Sequence, residues 1–125
     1  MVTRMAFSFN VPDPRASADF LIRHLGFSVD MEQGDDFVSL SHPVGGANVI
    51  FLRTGLATFK PAHRAGAAGE GTLLVFVVEN LDELHARFVR EGATVVTAPE
   101  TEPWGERFCQ YEDPNGLIVQ LVQWV

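Results

Sequence analysis

One cysteine, Cys109, stands in 125 residues, so an internal disulfide and a thiolate metal cluster are both excluded. Long apolar runs are missing too. None approaches the ~20 residues that span a bilayer. The N-terminal MVTRMAFSFN holds one Arg and neither a long apolar stretch nor a cleavage signal, so it reads as a strand. Basic residues are scarce: nine Lys and Arg against 16 Asp and Glu leave a net charge of −7. That balance disfavours nucleic acid, whose phosphates call for clustered cations. It favours a cationic small molecule through long-range attraction, but charge of this kind speaks to plain solubility before it speaks to partners. The chain is expected in the cytoplasm, with neither nucleic acid nor membrane as partner.

What is present is ordinary for a soluble globular domain: 46% hydrophobic and 20% charged residues, in a length that suits one domain with a real core. Residues 5 to 11, MAFSFNV, alternate Met5, Phe7, Phe9 and Val11 against Ala6, Ser8 and Asn10, the pattern of a strand with one apolar face. Pro12-Asp13-Pro14 stops it. The next segment predicts a helix over 15–25 with Phe20, Leu21 and Leu25 inward, closed by Gly26. FSVDME, a turn at Gln33-Gly34-Asp35, FVSLSH, a turn through Pro43 to Gly46, and NVIFLR complete a β-α-β-β-β series.

The series then recurs as TLLVFVV over 72–78, a helix over 81–92 closed by Gly92, ATVV, ERFCQYE, a turn at Asp113-Pro114-Asn115-Gly116, and LIVQLVQWV. Pairing Val11 with Val78, Gly26 with Gly92 and Phe51 with Gln120 gives offsets of 67, 66 and 69, nearly constant, as an internal duplication requires. The expected organisation is a single domain with module one over 1–54, a linker over 55–71 and module two over 72–125. The linker is about as long as structureless loops become before they suggest mobility or function. Within the last strand Gln120 interrupts an apolar run. A bonded core amide, a metal ligand and a polar contact in a cavity are all open to it.

Paired β-α-β-β-β modules of this size, with FNVPD opening the first and PWGERFCQYEDPNGLIVQL closing the second, resemble the vicinal oxygen chelate superfamily. That group holds glyoxalase I, fosfomycin resistance proteins, extradiol dioxygenases and bleomycin resistance proteins; the Pro103-Trp104-Gly105 and Asp113–Gly116 spacing is similar to that of its bleomycin-resistance-like and general glyoxalase-like members. The resemblance implies an α+β fold of two βαβββ modules, each a curved half-barrel of mixed sheet around a cavity, with helices outside. It also implies a homodimer, with exchanged strands in some cases. Metal-using members place His or Glu/Gln on the first and last strands of each module. Carried over, those positions are Ala6, Phe51, Leu73 and Gln120. A divalent site needs three or four N, O or S donors, and Ala, Phe and Leu supply none, so neither metal nor other cofactor is expected.

With strand alternation, the same positions imply an inward face of Ala6, Ser8 and Asn10; Val49, Phe51 and Arg53; Leu73, Val75 and Val77; and Ile118, Gln120, Val122 and Trp124. This face is mostly apolar with a few polar points, as small-molecule pockets are. Gln120 then serves as a hydrogen-bonding point, or is a structural amide bonded to its neighbours. Trp104 and Trp124 offer flat walls for planar or cationic ligands, while Trp104 could equally plug its own corner. Arg53 could hold an acid group or pair internally. Phe59 and His63 lie in the linker, and the four histidines are scattered without metal spacing. Cys109 reads as a small buried residue.

The candidate ligand-binding residues are Ser8, Asn10, Phe51, Arg53, Leu73, Trp104, Gln120 and Trp124, with no catalytic set. The expected function is metal-independent sequestration of a small, largely apolar or aromatic compound, cationic ones included, as in resistance proteins of the bleomycin type. The alternatives are a metal-dependent glyoxalase-like lyase or isomerase and a metabolite-binding subunit. The first needs a metal or a positioned acid–base pair, and the inward positions hold neither.

Overall fold

The computed structural model describes residues 1–125 and divides them into two compact units, Met1–Ala68 and Gly69–Val125. The first unit runs β1 (Ala6–Val11), α1 (Pro14–Leu25), β2 (Ser28–Gln33), β3 (Phe37–Ser41) and β4 (Asn48–Arg53). The second repeats this order as β5 (Leu73–Val77), α2 (Leu81–Arg90), β6 (Thr94–Thr101), β7 (Glu106–Glu112) and β8 (Ile118–Trp124). Each builds a four-stranded mixed sheet, ordered β1-β4-β3-β2 in one and β5-β8-β7-β6 in the other. The first strand pairs in parallel with the last, and the remaining pairs are antiparallel. The expected α+β architecture of two βαβββ modules is therefore found, as two open sheets.

Local chemistry explains the punctuation. Asp13 caps α1 by accepting from the Ala16 N–H at 3.3 Å, with Pro14 at the first helical position, where its missing N–H costs nothing. Gly26 ends the helix with φ 74°, a left-handed conformation that only glycine adopts without strain. His42 secures this corner: its Nδ1 accepts from the Val44 N–H at 3.1 Å, and its Nε2 lies 2.9 Å from the Leu25 carbonyl oxygen, which accepts from it. In α2 the Leu81 N–H finds its acceptor on another element, donating to Gln123 Oε1 of β8 at 2.9 Å. Asp113 organises the last turn by accepting from the Asn115 and Leu117 N–H groups at 2.9 and 2.8 Å.

Each helix packs on one face of its own sheet. In the first unit Phe20 and Leu21 of α1 are buried along with Val38, Leu40 and Phe51 of the sheet, and Phe9 adds a ring contact to Phe51 with centroids 6.3 Å apart. In the second unit Leu81 and Phe88 of α2 are buried with Cys109, Tyr111, Val119 and Leu121. The Tyr111 hydroxyl lies 2.6 Å from His85 Nδ1 and 3.3 Å from Cys109 Sγ, so no polar atom in this core lacks a partner. Burial pushes the acidities of both the Tyr111 hydroxyl and the Cys109 thiol weaker than usual.

The linker does not lie loose. A 3₁₀ turn at Ala62–Ala65 sits inside it, Gly55 N–H donates to the Ala65 carbonyl at 2.9 Å, and Asn10 Nδ2 donates to the carbonyls of Arg64 and Gly66 at 3.3 and 2.9 Å. The Ala68 N–H completes the clamp on the Asn10 carbonyl at 2.7 Å. Most of the linker therefore belongs to the first unit.

Two outcomes follow. Replacing Asp113 with Ala strips two turn N–H groups of their acceptor and should cost about 1–3 kcal/mol, read from the urea midpoint. Because its raised pKa keeps Cys109 as a thiol above the pH at which a free cysteine ionises, labelling by Ellman's reagent at pH 8 should run roughly a hundredfold slower in native than in urea-unfolded protein. Equal rates would place the thiol outside the core.

Candidate functional site

The sheet face turned away from each helix is fixed by strand register. In the second unit Leu73 pairs with Ile118, Val75 with Gln120, and Val77 with Val122, while Gln110 and Phe108 of β7 stand opposite Gln120 and Val122. These residues share one face, as expected for Leu73, Gln120 and Trp124. Leu73, Val75, Val77 and Trp124 are about half exposed or more, an apolar surface that a finished core would have covered.

Gln120 itself is buried and directed. Thr97 Oγ1 donates to Gln110 Oε1 at 3.0 Å, and Gln110 Nε2 donates to Gln120 Oε1 at 2.7 Å. The relay crosses β6, β7 and β8, occupies the Gln120 carbonyl, and leaves its NH₂ group as the unused end. The amide is thus both a structurally bonded residue and a donor presented to the open face. Its alignment comes from two neighbours, Thr97 and Gln110, that the sequence pattern did not single out.

At the end of the same face Glu106 stands opposite Trp124, and the Trp104 indole N–H donates to Glu106 Oε2 at 2.8 Å. Both indoles are exposed, at 66% for Trp104 and 62% for Trp124. Gly105 holds the turn in place: with φ 88° and a Cβ position only 2.8 Å from the Val125 carbonyl oxygen, it admits no side chain, and the Val125 N–H donates to its carbonyl at 2.8 Å. Trp104 is therefore not a buried corner plug.

The first unit departs from expectation. Ala6 pairs with Asn48, Ser8 with Ile50, and Asn10 with Leu52, so Asn48, Ile50 and Leu52 share the open face with Ala6 and Ser8. Phe51 and Arg53 pair with Phe9 and Val11 on the helix side. Phe51 is 1% exposed and belongs to the core, and Val49 goes with it. The expected inward placement of Phe51 is wrong by one residue, because the offset between modules is 70 at the last strand rather than 69, and a one-residue slip reverses every side chain. Arg53 is committed to Asp36 at 2.8 Å. Asn10 spends its amide nitrogen on the linker carbonyls. Ser8 stays exposed on the open face.

In their place the register brings up Ser39 and Asn48, both buried, and Asp30. Asn48 Nδ2 donates to Asp30 Oδ2 at 3.1 Å and lies 3.5 Å from Ser39 Oγ. None of the three was singled out from the sequence: two depend on the corrected register, and Asp30 depends on a bulge between Val29 and Met31.

The family model described as the Glyoxalase/Bleomycin resistance protein/Dioxygenase superfamily matches residues 5–121. The chain belongs to this superfamily. Among solved structures, TioX from Micromonospora sp. ML1 is 25% identical over 99% of this chain and 100% of its own, with a TM-score of 0.75. TnmS3, an antibiotic binding protein from Streptomyces sp. CB03234, is 20% identical over 100% and 98% of the two chains, at a TM-score of 0.75. A lactoylglutathione lyase from Agrobacterium tumefaciens is 16% identical over 98% and 94%, at 0.77. The latter two likenesses speak for fold alone. No curated protein matches the chain.

The superfamily's metal-using members make a metal site worth testing against the residues present. With the register corrected, the carried-over positions are Ala6, Ile50, Leu73 and Gln120. Three hydrocarbon side chains and one amide do not make a divalent centre. Nor do three His, Cys, Asp or Glu side chains converge within either unit. The donor set does not fit a metal of this kind.

The corrected assignment of Phe51 has a direct check. Phe51→Ala should destabilise the fold by about 3–5 kcal/mol, as truncation of a buried aromatic does, measured by urea denaturation. A loss under about 1 kcal/mol would return Phe51 to the open face.

Proposed function

We propose that this superfamily member is a metal-independent binding protein that sequesters a small, largely apolar or aromatic compound, cationic ones included, in the manner of the bleomycin-resistance branch. The observation that carries this reading is the exposed apolar row of Leu73, Val75, Val77 and Trp124 around the aligned NH₂ group of Gln120. Apolar walls with few directed polar groups are the usual construction of small-molecule sites. Trp104 and Trp124, with Glu106 beside them, supply flat faces and a negative charge for an aromatic cation. TnmS3, which shares this fold, is an antibiotic binding protein, in keeping with this reading.

The working form in this reading is a homodimer. β1 and β5 are edge strands that leave apolar side chains uncovered, Phe7 at 58% and Val77 at 67% exposed. Such edges invite pairing with another chain. Sedimentation equilibrium checks this part separately: a monomer at micromolar concentration would remove the dimer from the reading.

Proflavine, a planar aromatic cation, serves as probe, with affinity measured by calorimetry. Trp124→Ala should weaken it about tenfold or more, since the stacking wall is lost. Gln120→Ala removes one hydrogen-bond donor and should cost about threefold. Equal losses, or none from either, would count against the open face as the binding surface.

A further inference from the structure

On the open face of the first unit lies a cavity of about 260 Å³ with its own polar floor. Asp30, Ser39 and Asn48 form the floor; Met31, Phe37 and Ile50 contribute apolar walls. We propose that this cavity is an amine subsite, taking the protonated ammonium group of a ligand whose hydrocarbon or aromatic part rests on those walls. The proposal rests on reading the open faces as ligand-binding surfaces, and its test separates the two.

The donor and acceptor count points to a cation. The Asn48 amide nitrogen is turned toward Asp30 Oδ2 and Ser39 Oγ, at 3.1 and 3.5 Å. No donor from the chain reaches the Asn48 oxygen or Asp30 Oδ1; neither is sealed from solvent, and both are open to a ligand's donors. No nitrogen of the floor remains to meet an anion, and the carboxylate would repel one. An ammonium group carries three donors and no acceptor, the complement of two free oxygens and a hydroxyl. The cavity lining also includes one cation, Arg4, whose Nη2 reaches Asp30 Oδ2 at 4.0 Å from a side chain 70% exposed. Such a loose surface pair is worth little, so a ligand ammonium can replace it.

The backbone also aims the carboxylate. Val29 pairs with Leu40 and Met31 with Ser39, so Asp30 is the extra residue of a bulge. Regular alternation would send Asp30 and Met31 to opposite faces, whereas the bulge lets both line the cavity. The second unit keeps the same device between Val95 and Thr97, where Val96 is the extra residue. The bulge is shared and the carboxylate is not, so the acid at Asp30 is a side-chain choice independent of what the turn of the strand demands.

The test compares benzylamine with benzyl alcohol, its neutral near-isostere, by titration followed in ¹H–¹⁵N NMR spectra of the full chain. Benzylamine should shift the Asn48 side-chain amide pair and the Ser39 and Ile50 backbone signals, and bind about tenfold tighter than the alcohol. Asp30→Asn should abolish that difference. Arg4→Gln, which removes the competing cation, should tighten benzylamine about twofold or more and keeps the test available if the Asp30 variant fails to fold. Equal binding of the two probes, or amine shifts confined to the second unit, overturns the amine subsite and leaves the binding reading standing. No shift on either open face from either probe overturns both.

Discussion

Parallel pairing of the first and last strand in each unit is the constraint from which the other features descend. Ala6 faces Asn48 and Leu73 faces Ile118. Once those pairs are set, alternation assigns every other side chain of the sheet to the helix or to the open face. The buried side of the choice is heavily determined: Val38, Leu40 and Phe51 in one unit and Cys109, Tyr111 and Leu121 in the other are at most 1% exposed. Displacing either ladder by one residue would put a row of such side chains into water and draw polar ones under the helix. Burial of a large apolar side chain contributes about 1.5–3 kcal/mol, so a slip involving several exceeds the whole stability of a typical domain.

The helix faces thus hold the register, and the open faces are released from that duty. This is where polar groups accumulate in directed pairs. Gln120 is fixed by Gln110 and Thr97, and Asn48 by Asp30 and Ser39. A buried amide left unbonded would cost about 1–3 kcal/mol, so each is bonded at one end, by Gln110 for Gln120 and by Asp30 and Ser39 for Asn48, which also orients the other end. The two relays point opposite chemistry outward. Gln120 offers donors, and the Asn48–Asp30 pair offers acceptors. A ligand meeting either face therefore encounters hydrogen-bonding groups whose orientation is already set, with less ordering entropy to lose on binding.

Much of this was legible in the residues. Alternation of Met5 to Val11, the glycine after each helix and the repeat of the β-α-β-β-β order all correspond to elements now seen, because each rests on local chemistry: side-chain period, capping and turn preference. The face of the second unit was legible for the same reason, since Gln120 marks its strand. Phe51 was misplaced because equating it with Gln120 required counting across a turn, where an inserted residue leaves no trace in the pattern. Asp30 was invisible because a bulge is a property of two strands together. The role of Asn10 depends on Arg64 and Gly66, more than fifty residues away, and no short-range signal carries such a contact.

Charge is distributed along the same division. Arg53 with Asp36 and Arg107 with Asp82 satisfy each other, and the Arg107 guanidinium holds the Asp82 carboxyl below its usual range. Both pairs are exposed and stabilise little, but they take those cations away from ligand chemistry. On the open faces two acids stand beside the candidate surfaces: Asp30, with the loosely held Arg4 of the same cavity lining, and Glu106, with the Trp104 indole as partner and Trp124 opposite. Each lies beside apolar or aromatic surface, where low local polarity strengthens its field. A net charge of −7 on the whole chain reinforces that sign at longer range. In the proposed binding role, anionic aromatic compounds would meet repulsion from both acids and neutral ones no attraction of charge, so the discrimination proposed for these surfaces runs toward cations.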